Sequence, residues 1–140
     1  MMDKWLFGTV LVQVVLTLFI MVLMGKRRFK AAKNRELPFK AFKLMDLTGA
    51  NEQVITASRN FDNQFQLPVL YLFAVAFALQ FGMADFSLVV LGGLFVLSRL
   101  AHAFIHVGAN HVRLRFAVYV FGALMLLLFW LRLGIAYLLA

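Results

Sequence analysis

Residues 5–24 form an uncharged, largely apolar run of 20 residues. A helix of that length, rising about 1.5 Å per residue, crosses the roughly 30 Å hydrocarbon core of a bilayer. Similar runs at 65–81, 86–108 and 116–139 predict three further spans. Backbone polar groups in lipid must be paired within their own element, which excludes open sheets. We therefore expect an all-α fold, an integral membrane four-helix bundle in one domain over 1–140, with short connections between antiparallel neighbours.

The composition agrees with a membrane protein and limits its chemistry. Hydrophobic residues make up 64% of the chain and charged residues 14%, whereas soluble domains average about 45–50% and 25%. The chain has no cysteine, so disulfides, thiolate metal sites and a protein thiol nucleophile are excluded. Any sulfur chemistry must therefore use the sulfur atom of a ligand.

The positive charge is concentrated in one connection. Residues 25–64 carry nine Lys and Arg against four Asp and Glu. The positive-inside rule places this connection in the cytoplasm and both termini outside, as in a multi-pass protein of a bacterial inner (cell) membrane. We expect the basic cluster to contact anionic headgroups rather than nucleic acid. A basic flank after the first span and the lack of a cleavage site also argue against a cleaved signal peptide.

Three stripes of polar residues share helical spacing and the cytoplasmic half of the predicted bundle. They are Arg99, His102, His106, Asn110 and Arg113; Arg59, Asn63 and Gln66; and Arg115 with Tyr119. Pro68 follows the second stripe, where we expect it to kink the second span. Polar side chains are costly in a bilayer and need a partner, a cavity or a function. Their convergence predicts a cationic cavity for a small polyanionic ligand, since arginine binds carboxylates bidentately; the alternative is that they tie helices together.

Two of these stripes carry a resemblance to a known family. Residues 98–108 (SRLAHAFIHVG) and the pair Arg115-x-x-x-Tyr119 resemble the MAPEG family, the membrane-associated proteins in eicosanoid and glutathione metabolism. The resemblance implies four spans, outer termini, a basic cytoplasmic connection and a homotrimer with glutathione between protomers. The family's Arg, Asn-x-x-Glu and Pro pattern fits residues 59–68 in two registers, Asn60 with Asn63 or Asn63 with Gln66. Both registers put an amide where the family has its glutamate.

The resemblance also implies a function and a role for each residue. A MAPEG glutathione S-transferase or peroxidase activates the glutathione thiolate toward a lipophilic electrophile that enters from the bilayer. Arg115 would stabilise the thiolate, since a free thiol has a pKa of about 8.5, and Tyr119 would steer the electrophile or donate a proton. The residues implied to hold the tripeptide are Arg59, Asn63, Gln66, Arg99, His102, His106 and Arg113.

Two other function classes compete with this interpretation. A non-catalytic protein of the same fold could bind a lipid or a partner protein, because fold does not determine function. A metal or haem site could use His102 and His106, which are four residues apart. The third and fourth spans offer no nearby carboxylate, and Arg99 would repel a cation, so we expect no metal.

Overall fold

The structure, a computed structural model, describes residues 1–139 and contains no strand among them. Its helices are α1 (Met2–Lys33), α2 (Phe39–Lys43), α3 (Glu52–Asn63), α4 (Leu67–Gln80), α5 (Phe86–Val107) and α6 (Val112–Leu138). Three of them, α1, α5 and α6, are long and apolar enough to cross a membrane. The prediction of an all-α membrane protein is thus confirmed. At 14 residues, α4 extends only about 21 Å, so a crossing by the second apolar run stays a prediction.

The first helix continues well beyond the predicted span. After Gly25, residues 26–33 are mostly basic residues and alanines, which are good helix formers, and they include no glycine or proline. The helix ends where Arg35 adopts a positive φ of 57°, and the backbone N–H of Glu36 then donates to the carbonyl of Ala31 at 2.9 Å. The basic connection after the first apolar run therefore begins as a helical extension of α1.

The second polar stripe is divided between two elements, so the predicted kink at Pro68 is wrong. Helix α3 ends at Asn63 and α4 begins at Leu67. Pro68 lies in the first turn of α4, where a helix needs no backbone N–H from it. The proline starts a new helix instead of bending an existing one.

The first stripe, which begins at Arg99, also fails to continue along one helix. Helix α5 ends at Val107, and Asn110 adopts a positive φ of 51° in the turn that follows. Its backbone N–H donates to the carbonyl of Ile105 at 2.8 Å, which closes the helix end. Arg113 and Arg115 therefore belong to α6, which begins four residues before the predicted start of the fourth span.

Small residues set the close approach of the helices. A Cβ atom added at Gly92 of α5 would lie 2.5 Å from the hydroxyl of Tyr71 on α4, and one added at Gly122 of α6 would strike the side chain of Ser98. Glycine at such positions lets helix backbones pack tightly in a membrane. At the other end of the bundle, Asp85 accepts the backbone N–H of Leu88 as the N-cap of α5 and pairs with Arg132 of α6.

Candidate functional site

A cavity of about 390 Å³ lies between α3, the start of α4, α5 and α6. Its wall combines cationic, amide and aromatic side chains with one carboxylate and two apolar residues. These are Arg59, Asp62, Asn63, Gln66, His102, His106, Val112, Arg115, Phe116 and Tyr119. Of the nine residues to which the family resemblance assigns a catalytic or glutathione-binding role, seven are thus brought around one cavity; the exceptions are Arg99 and Arg113.

Two histidines of α5 form one side of the cavity. His102 and His106 are each only 4% exposed, and their ring centroids lie 5.7 Å apart. The Nδ1 atom of His102 lies 3.3 Å from the carbonyl oxygen of Arg115. Within residues 1–139, His102 Nε2 and His106 Nδ1 have no hydrogen-bond partner. Both atoms are therefore available to a polar ligand.

Arg99 lies behind this wall and has unused hydrogen-bonding capacity. Its side chain is 1% exposed, and none of its three guanidinium nitrogens has a hydrogen-bond partner in the described part of the chain. Its Cζ atom is 5.6 Å from the centroid of the Tyr119 ring, which is within range of a cation–π contact. Burying a charge without a counter-ion is costly, so an anion bound near Tyr119 would relieve this cost.

Arg115 is oriented by the turn between α5 and α6. Its Nη1 atom donates to Asn110 Oδ1 at 2.5 Å, and Asn110 Nδ2 donates to Glu52 Oε1 of α3 at 3.1 Å. The residue that closes α5 therefore also positions the guanidinium at the cavity. Tyr119 follows one helical turn later, so the cation and the phenol face the cavity together.

The α3 side of the cavity separates the two possible registers of the amide motif. Asn63 and Gln66 line the cavity, whereas Asn60 is fully buried and donates to the carbonyl of Ala103 at 2.9 Å. Asn60 also accepts from Gln64 at 2.9 Å. Asn60 therefore connects α3 to α5, and the pair that faces the cavity is Asn63 with Gln66.

One charged residue of the wall, Asp62, was not predicted from the sequence, and one predicted site residue, Arg113, lies away from the cavity. Asp62 contributes the carboxylate of the cavity wall; it follows Arg59 by three positions, so a helical wheel drawn for α3 alone would have found it. Arg113 is exposed near the start of α6 and does not line the cavity. The described residues contain no group of three or more His, Cys, Asp or Glu side chains that could hold a metal ion.

Comparison with known proteins identifies the family to which the chain belongs. The sequence profile of the MAPEG family matches residues 6–135 of the 140-residue chain. The chain belongs to the MAPEG family. The match includes every residue of the cavity wall, and together with the three long apolar helices it makes this MAPEG protein an integral membrane protein. No curated protein and no solved structure matches the chain.

Proposed function

We propose that this MAPEG protein is a membrane glutathione S-transferase or peroxidase that activates the glutathione thiolate toward a lipophilic electrophile from the bilayer. One observation carries the proposal: Arg115 and Tyr119 line the same cavity, one turn apart, beside two buried histidines. Glutathione supplies the thiol that a chain without cysteine lacks. Its two carboxylates and one ammonium suit a wall that offers two arginines and one aspartate.

The chemical step uses the cation and the phenol in turn. Only a few per cent of a thiol with a pKa of about 8.5 is ionised at neutral pH, and the Arg115 guanidinium raises that fraction by stabilising the anion. In the transferase reaction, sulfur forms a bond to the electrophilic carbon while the leaving atom takes the bonding electron pair. Tyr119 would then donate a proton to that atom. In the peroxidase reaction, a hydroperoxide and two glutathione molecules give an alcohol, water and glutathione disulfide.

The remaining wall residues, together with Arg99 behind them, would hold the tripeptide. Arg59 and the buried Arg99 offer charge-assisted hydrogen bonds to its carboxylates, and Asn63 and Gln66 offer amide contacts. Asp62 supplies a carboxylate for the ammonium, which Gln66 cannot pair with by charge. We further propose a homotrimer in a bacterial inner membrane with both termini outside. Large apolar side chains exposed along α1, α4 and α6 supply surface for lipid and for neighbouring protomers, and the excess of positive charge in residues 25–64 favours the cytoplasmic side for that connection.

Calorimetry and absorbance test this function directly. Protein purified in detergent is titrated with glutathione, and the ultraviolet absorbance of the thiolate is recorded for the wild type, Arg115→Ala and Arg113→Ala. We expect heat on binding, a thiolate signal in the wild type, and loss of that signal only in Arg115→Ala. Arg113→Ala removes the same charge from the same helix outside the cavity and is the matched control. Absence of heat at millimolar glutathione would refute the proposal.

One observation favours a second candidate, a non-catalytic protein that binds a lipid in this cavity. The wall places amides where the family has a glutamate, and it includes the apolar Val112 and Phe116. The polar residues of the wall would contact a small anionic headgroup of such a lipid, and Val112 and Phe116 would contact its acyl chain. In that case detergent-purified protein would bind such a lipid competitively in this cavity, and glutathione would give neither heat nor a thiolate signal.

A further inference from the structure

A mainly apolar groove with one arginine in its wall lies away from this cavity, at the end of α1. The groove, of about 240 Å³, runs between the last turns of α1 and the short helix α2. Its walls are mostly aromatic or aliphatic, with a single cation. They are Met24, Gly25, Arg28, Phe29, Ala32, Phe39 and Phe42. The groove begins at the last residue of the first apolar run, so it is continuous with the membrane-facing surface of α1.

Arg28 is held at the side of this groove with its charge unbalanced. Its Nε and Nη2 atoms donate to Oγ of the buried Ser58 on α3, at 3.2 and 3.0 Å. A hydroxyl fixes the position of the guanidinium but does not neutralise it. No carboxylate in the described chain lies within ion-pair distance of Arg28. Arg28 also lines a neighbouring cavity of about 540 Å³ that includes Arg59 and Asp62.

We propose that this groove binds one phospholipid with an anionic headgroup, its acyl chain along the apolar wall and its phosphate at Arg28. The groove opens beside two interfacial aromatic side chains, Phe29 and Phe39, each 73% exposed. Residues 25–64 carry five more positive than negative charges, which favours an anionic lipid over a zwitterionic one. A free phosphate would leave the apolar wall unused. The proposal concerns a different site from the glutathione cavity and does not depend on it.

The headgroup contact is tested with lipid titrations of delipidated protein. Native mass spectrometry measures binding of phosphatidylglycerol and of phosphatidylcholine with the same acyl chains. We expect the wild type to prefer phosphatidylglycerol about tenfold, because its phosphate has no choline ammonium beside it to offset the attraction to Arg28, and we expect Arg28→Gln to remove that preference. Lys33→Gln is the control, because Lys33 is an exposed cation of the same helix that does not line the groove. An equal loss in both variants would indicate general attraction and overturn the site.

The acyl groove has its own matched pair of variants. Gly25 and Gly8 both lie in α1, and a Cβ atom at either position meets no atom within 4 Å. Leucine at both positions raises helix propensity, but only Gly25→Leu fills the groove. We expect Gly25→Leu to weaken binding of both lipids about tenfold and Gly8→Leu to leave it unchanged. The same result for the two variants would overturn the groove.

A headgroup analogue separates a lipid from a soluble phosphate. Glycerol phosphate is added at a hundredfold excess over the phosphatidylglycerol that half-saturates the wild type. We expect it to displace less than a tenth of the bound lipid, because it makes no contact with the apolar wall. Displacement comparable to that by the intact lipid would mean that Arg28 is a phosphate site without an acyl groove, which contradicts the proposal. Circular dichroism, together with the size of each variant in detergent compared with the wild type, checks that each variant is folded.

Discussion

Replacing Arg99 by methionine should stabilise the ligand-free protein while weakening ligand binding. Methionine keeps an unbranched side chain of similar length but removes a guanidinium that is 1% exposed and whose three nitrogens have no partner within residues 1–139. An unpaired buried donor costs about 1–3 kcal/mol, and more when charged. Exchanging buried ionic groups for packed apolar ones stabilises proteins by up to about 4 kcal/mol. We therefore expect Arg99→Met to raise the free energy of unfolding by about 1–4 kcal/mol.

The assay is thermal unfolding of detergent-purified protein with and without glutathione. A gain of 1 kcal/mol corresponds to about 4 °C in the melting temperature of a chain of this size, so the ligand-free variant should melt about 4 °C higher or more. Loss of a buried charge-assisted contact costs about 2 kcal/mol or more, so glutathione should bind at least about 30-fold more weakly. The stabilisation that the ligand gives the wild type should shrink accordingly.

The control for Arg99→Met is Arg113→Met, the same exchange at an exposed position outside the cavity. Such surface substitutions change stability by less than about 0.5 kcal/mol. A ligand-free Arg99→Met protein that melts below the wild type would refute the reasoning, because the guanidinium would then have a stabilising partner. Higher stability with unchanged glutathione affinity would mean that the buried guanidinium destabilises the ligand-free protein but does not contact glutathione.

Three further predictions concern packing, an ion pair and pH. Gly92→Ala, whose Cβ would press on a tyrosine hydroxyl, should lower the free energy of unfolding by about 1–3 kcal/mol, whereas Gly93→Ala, with open space, should not; equal melting temperatures would contradict this. Asp85→Asn keeps an N-cap but removes the ion pair with Arg132. Because these two side chains are 34% and 42% exposed, the free energy of unfolding should fall by less than about 1 kcal/mol, and the difference from the wild type should vanish in high salt. Hydrogen bonds from two asparagines lower the pKa of Glu36. Its contribution to the free energy of unfolding is therefore present above the pKa of the unfolded state and is lost as the pH falls through the lower pKa of the folded state. Glu36→Gln should flatten the acid side of a plot of stability against pH, and an unchanged plot would contradict this.

The existence of the long helices could be predicted from the sequence, but their ends could not. The apolar run at 5–24 located α1 but stopped nine residues before the end of the helix at Lys33, because hydropathy marks lipid exposure and not backbone conformation. Continuous polar spacing likewise suggested one helix through Asn110, where a positive φ reverses the chain. A spacing of 3.6 residues indicates a shared face only when the chain stays helical between the residues.

The composition of the cavity wall was largely accessible from the sequence for a different reason. Short connections force α5 and α6 to run antiparallel, so polar residues near the same connection must meet wherever the exact turn falls. That is why His102, His106, Arg115 and Tyr119 come together although the predicted helix boundary was displaced. Arg113 was assigned to the α5 face, and it fell outside because that face ended before it. Asp62 was not predicted because only Arg59, Asn63 and Gln66 were assigned to the polar face of this segment, and the neighbouring positions were not considered.

Hydrogen bonding separates two kinds of buried polar residue that spacing cannot distinguish. In the first kind, Gln13 donates to Gln64 at 3.0 Å, and Gln64 donates to Asn60 at 2.9 Å. This network joins α1 to α3 and uses its donors within the protein; among the described residues its one unpaired buried atom is an acceptor, Gln13 Oε1. In the second kind, Arg99 and the two histidines beside it leave buried nitrogens unpaired. Residues that only tie helices together gain nothing from unpaired donors, because each one costs free energy. We therefore propose that the unpaired nitrogens are the part of the bundle interior available to a ligand, whereas the amide network holds the helices in place around it.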